Sequence, residues 1–155
     1  MSLEEKLTKI KQETETQGSG FDWNRRREQW VNKFDELLQS AEVYFSPLAE
    51  KNLVKLVRYQ LTINEENIGI YNIPGLRILI NRFEFLIEPM GTLLIGAYGR
   101  ADLVFYNKNQ NVMLVLTGDS FESSTWKIVN SKSPLVVEEF SMQKIESIIE
   151  KWLDI

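Results

Sequence analysis

From Asp22 onward the apolar residues Trp23, Trp30, Phe34, Leu37, Leu38, Ala41, Tyr44, Phe45 and Leu48 recur at the 3.6-residue period, which predicts a long amphipathic helix. Asp22 is placed as its N-cap, and Pro47, followed by a change of period, predicts its end near Phe45. The pattern then alternates. Leu53, Val57, Tyr59, Leu61 and Ile63 fall on one face of a strand over 53–63, with Arg58, Gln60 and Thr62 on the other. Two runs, 76–80 and 83–88, flank Asn81-Arg82, and a two-residue hairpin there pairs Ile80 with Phe83, Ile78 with Phe85 and Leu76 with Ile87. A slip by one residue would turn Glu84 and Glu88 to the core, so the pattern specifies this register. Further strands are expected over 93–97, 101–106, 112–117 and 125–129, separated by the turn-rich NKNQN and TGDSFESS. The run 112–116 is apolar on both faces, which predicts a central strand. At the C-terminal end Ser141 is placed as N-cap, Phe140 and Ile145 as a hydrophobic staple, and Met142, Ile145, Ile148, Ile149 and Trp152 as the stripe of a closing helix.

Before the long helix, Leu3, Leu7 and Ile10 stand at helical spacing behind a Ser2/Glu5 capping box, and the polar QETETQGSG that follows has the composition of a flexible linker. The expected organisation is therefore an N-terminal helix and linker over 1–20, weakly ordered, and one domain over 21–155. A long helix, about six or seven antiparallel strands and a closing amphipathic helix define an α+β domain. A meander of that length closed by a C-terminal helix resembles the pleckstrin-homology-like roll, with the long N-terminal helix as an addition. An open, curved sheet with both helices on its concave face accounts for the same pattern.

Composition narrows the chemistry. The chain has 155 residues, 43% hydrophobic and 26% charged, a balance that supports one packed core. It contains no histidine and no cysteine. Ser-His-Asp and Cys-His catalysis are thereby excluded, as are disulfides and zinc sites built on His or Cys, and any metal would need oxygen ligands. The net charge of −4 disfavours broad nucleic-acid binding, which calls for a basic face. No apolar run is long enough to span a bilayer and MSLEEKLTKI lacks a signal-peptide core, so no membrane partner and a cytoplasmic location are expected.

Gly96-Ala97-Tyr98-Gly99-Arg100-Ala101-Asp102 is the most unusual local sequence. Its glycines either bend a strand, with Arg100 paired to Asp102 or Glu88, or shape a rim that displays Tyr98 and Arg100 to an anionic ligand. Tyr98, Arg100, Asp102 and Glu88 are thus the candidate ligand-binding residues. Asp102 followed by the apolar run 112–116 resembles the magnesium-dependent restriction-endonuclease-like core over a small part of the chain. Where that family carries Glu-x-Lys, however, this chain has Val115-Leu116-Thr117, so the resemblance implies an inactive shape. Arg25, Arg26 and Arg27 form the only basic run, at a helix N-terminus where the dipole disfavours cations, and Phe121 sits within the acidic loop Asp119–Glu122. These four are candidate partner-binding residues.

No set of residues has the spacing of a catalytic site, and no cofactor is indicated. The expectation is a non-catalytic binding or adaptor domain for a protein or small ligand, an immunity-type inhibitor that masks a basic surface being one form of it. The alternative is a magnesium-dependent enzyme using Asp102 and Glu88 with Arg100 as electrostatic stabiliser.

Overall fold

The computed structural model of the chain describes residues 2–7, 22–92, 97–132 and 135–154. After a helical stretch at 3–7 come α1 (Trp23–Glu50), seven strands and α2 (Met142–Leu153). The strands are β1 (Lys55–Glu65), β2 (Gly69–Ile80), β3 (Phe83–Gly91), β4 (Gly99–Phe105), β5 (Gln110–Thr117), β6 (Thr125–Lys132) and β7 (Leu135–Glu139). They form one antiparallel meander in sequence order, so the domain is α+β. β1 and β7 are its edges, and the sheet stays open and does not close into a roll.

Local chemistry explains the helix ends. The Ser2 hydroxyl accepts from Glu5 N at 3.2 Å and the Glu5 carboxylate from Ser2 N at 3.3 Å, the reciprocal capping box expected there. Asp22 and Ser141 cap α1 and α2 through Arg25 N at 3.0 Å and Lys144 N at 3.2 Å. The end expected near Phe45 is not observed: α1 runs through Pro47 to Glu50. A proline removes the N–H that would bond the carbonyl four residues back. Here that carbonyl belongs to Val43, and the Ser46 hydroxyl donates to it at 2.8 Å. The helix stops instead at Asn52, which is left-handed at φ 59°, with Leu53 N bonding Leu48 O and Asn52 N bonding Ala49 O, both at 3.0 Å. That pair of bonds is a Schellman motif. It leaves Leu53, expected on the buried face, 58% exposed.

The β2–β3 hairpin has the expected register, Ile80 opposite Phe83, Ile78 opposite Phe85 and Leu76 opposite Ile87. Leu76, Ile78, Phe85, Ile87, Leu103, Phe105, Leu114, Leu116 and Ile128 line the inner face of the sheet and share one core with Trp30, Phe34, Leu38 and Phe45 of α1 and Ile145 and Ile149 of α2. Both helices therefore cover the same face. Phe85 stacks on Phe105 at 4.6 Å between centroids, and Trp152 of α2 lies against both. Burying each such side chain contributes roughly 1.5–3 kcal/mol, which holds α2 to the sheet.

Burial changes parity within β2: Tyr71 and Ile73 are buried, then Leu76 and Ile78. β2 pairs with β3 only from Leu76 onward, whereas its pairing with β1 runs the whole length from Gly69 to Leu79. The free end of the β1–β2 hairpin can thus turn its other side toward α1. Gly75 sits at the change, where a Cβ would lie 2.5 Å from the ring of Tyr59. β7 was not expected from the sequence, and of the strand expected over 93–97, residues 93–96 lie outside the described residues.

Candidate functional site

Strand alternation places Glu88, Arg100 and Asp102 on the outer face of the sheet, away from both helices. Glu88 is the register partner of Asp102, which in turn faces Met113 on β5. The Arg100 guanidinium forks onto the Asp102 carboxylate, Nε to Oδ1 at 3.0 Å and Nη2 to Oδ2 at 3.1 Å, and Asn111 Nδ2 donates to Oδ2 at 3.1 Å. Asp102 is only 5% exposed, and these three bonds satisfy its charge.

Glu88 stands apart. Among the described residues no cation forms an ion pair with it, and partial burial, reinforced by the charge of Asp102, raises its carboxyl pKa above the ordinary 4.5. Next to it Tyr59 lies flat over Gly75 with the Arg77 guanidinium 5.1 Å above its ring, and Arg77 pairs with Glu84 at 3.3 Å. The Tyr59 hydroxyl is buried without a hydrogen-bond partner, and burial, then Glu88, hold its proton well above the ordinary tyrosine value. Leu86, Val104, Met113, Val115 and Val129 surround these polar groups, and Val137 extends the aliphatic row to the sheet edge at 46% exposure.

Tyr98 does not join Arg100. A bend before β4 directs Tyr98 to the N-terminal end of α1, where Arg26 lies between the Tyr98 ring at 5.4 Å and the Phe121 ring at 4.9 Å. Arg26 Nη2 donates to Thr92 O at 3.3 Å and to Tyr98 O at 3.2 Å, while the Tyr98 hydroxyl donates to Asp119 O at 3.2 Å. Desolvation lowers the Arg26 pKa, opposed by Tyr98 and Glu65. Phe121 is buried at 7% exposure, edge-on to Tyr98. This assembly ties the helix N-terminus to two loops. Gly99 beside it brings the backbone against the Trp30 indole, which a Cβ would approach to 2.3 Å. Of the other arginines, Arg25 makes a long 3.9 Å contact with Glu122, both exposed, and Arg27 is half-buried at a cleft with Tyr71 and Asn72.

A network with no sequence signal lies under the same corner. The Glu65 carboxylate accepts from the Tyr71 hydroxyl, from Thr92 N at 2.7 Å and from the Thr92 hydroxyl at 3.3 Å, with Thr92 1% exposed. Gly91 permits that approach, since its Cβ would stand 2.8 Å from Glu65 Oε1.

Two carboxylates face each other across β3 and β4, but among the described residues no three of His, Cys, Asp and Glu converge as a metal site. No helix among them is long and apolar enough to cross a membrane. No protein-family model, curated protein or solved structure matches the chain.

Proposed function

We propose that the chain is a non-catalytic binding domain that presents the outer face of its sheet to a protein partner carrying a cationic side chain opposite Glu88. The observation that supports this reading is the state of that face. Both helices pack on the other side, yet this face carries an ordered charge array among aliphatic side chains, and among the described residues Glu88 within it has no cation while Arg100 is committed to Asp102. A core needs no such array, whereas an interface uses one to set register and reject wrong partners. Since Asp102 keeps both oxygens on Arg100 and Asn111, its role in this reading is to hold Arg100 and charge the face, not to ligate a metal. An inhibitor that masks a basic surface is one form the reading takes.

Photo-crosslinking in the native host tests it. A benzophenone side chain at Met113 or Val129 should give one discrete adduct, which Glu88→Gln weakens. The same group at Gln39, on the exposed side of α1, should give none. Absence of an adduct from both outer-face positions, or equal labelling from Gln39, would refute the reading.

A further inference from the structure

The covering layer of the inner face has a gap between the C-terminal half of α2 and the beginnings of β5 and the end of β6. A groove of about 810 Å³ opens there, in the size range of small-molecule sites. Its half-buried part is apolar, formed by Val112, Ile148 and Trp152. Around it stand the exposed polar side chains of Lys108, Gln110, Asn130, Lys151 and Asp154.

Three features make this more than a surface depression. Trp152 lines the groove and is held by its stacking on Phe85 and Phe105, so little rotamer freedom is left for it to lose on binding. Lys108 is placed by a 3-10 turn, Tyr106–Lys108, that left-handed Asn109 closes at φ 51° with its N–H on Tyr106 O. Finally, among the described residues neither Lys108 nor Lys151 makes an ion pair or side-chain hydrogen bond, although both line one cavity in a chain of net charge −4. Two uncommitted ammonium groups beside an apolar floor are complementary to an anionic head joined to an apolar ring. Asp154 on the same rim favours a hydroxyl or amine on that ring over a second anion.

We infer that the groove between α2 and the strands β5 and β6 binds a small molecule in which a phosphate monoester or carboxylate is attached to an apolar ring, at a site separate from the outer sheet face. The head lies between Lys108 and Lys151, with the Gln110 and Asn130 amides as donors, and the ring rests on Val112, Ile148 and Trp152.

Titration of the ¹⁵N-labelled full chain followed by amide shifts tests this with phenyl phosphate and benzoate as probes, and with phenol and inorganic phosphate as ring-only and anion-only controls. At least one of the two probes should saturate with shifts confined to residues that line the groove, Lys108, Val112, Asn130, Ile148 and Lys151 among them, and including the Trp152 indole N–H. Each control should bind at least about tenfold more weakly. The tighter of the two probes identifies the head group. The double variant Lys108→Gln/Lys151→Gln, both sites being exposed, should keep the amide spectrum of the folded chain and lose affinity for the probe about tenfold. Scattered or non-saturating shifts up to about 10 mM probe would overturn the inference, as would equal affinity in the double variant.

Discussion

Removal of Arg100 separates a scaffold from a site. In Arg100→Ala the Asp102 carboxylate, whose side chain is 7% exposed, loses two of its three hydrogen bonds and keeps only Asn111 Nδ2 at 3.1 Å. Breaking a fully buried pair by deleting one partner costs about 3–5 kcal/mol. Arg100 itself is 27% exposed, so water can enter where it was and screen the stranded charge. That reduces the expected cost to about 2–3 kcal/mol, a fall in melting temperature of roughly 5–10 °C in a domain of this size. Glu88, opposite Asp102, adds repulsion that Arg100 no longer offsets. If the cost arises from the uncompensated charge, neutralising it should restore stability, and Arg100→Ala/Asp102→Asn should recover about 1–3 kcal/mol over the single variant. Urea denaturation of wild type, both single variants and the double, with equal slopes, measures each difference. A loss below about 0.5 kcal/mol in Arg100→Ala, or a double variant no more stable than that single one, would refute the reasoning.

Three further outcomes are expected. Gly99→Ala places a methyl 2.3 Å from the Trp30 ring and should cost about 1–3 kcal/mol by denaturation, with a shift in tryptophan emission; an unchanged midpoint would contradict the close approach. Glu88 has a folded-state pKa above its unfolded value, so its contribution favours the folded state below pH 4.5 and is lost as pH rises beyond that. Glu88→Gln should therefore raise the melting temperature at neutral pH, with the gain shrinking as pH falls toward 4.5, and a pH-independent difference would count against the assignment. Deletion of residues 1–20 should leave the melting temperature nearly unchanged, since Leu3 and Leu7 are 71% and 56% exposed, and a fall of more than about 5 °C would place that segment in the core.

What the chain announces by itself is whatever depends on backbone repeat. The stripe of α1, the caps at Asp22 and Ser141, the β2–β3 register and the shared strand face of Arg100 and Asp102 all follow from spacings of two, three or four residues, which the geometry of a strand or helix converts directly into shared faces; that Arg100 pairs with Asp102 rather than Glu88 was decided by the structure. β7 escaped because Val136 and Val137, adjacent at an edge and both 46% exposed, show no alternation to detect. The end of α1 escaped because Pro47 reads as a stop unless the Ser46 hydroxyl is known to replace the missing donor. Tertiary structure alone decided that Arg26 belongs with Tyr98 rather than with its neighbours, across 72 residues, and that Glu65 meets Thr92 across 27. It also decided which side of β2 faces inward on either end of Gly75, and brought Lys108 and Lys151 to one groove. Such partners have no fixed separation along the chain, because what joins them is the curvature of the sheet and the place where each helix lies on it.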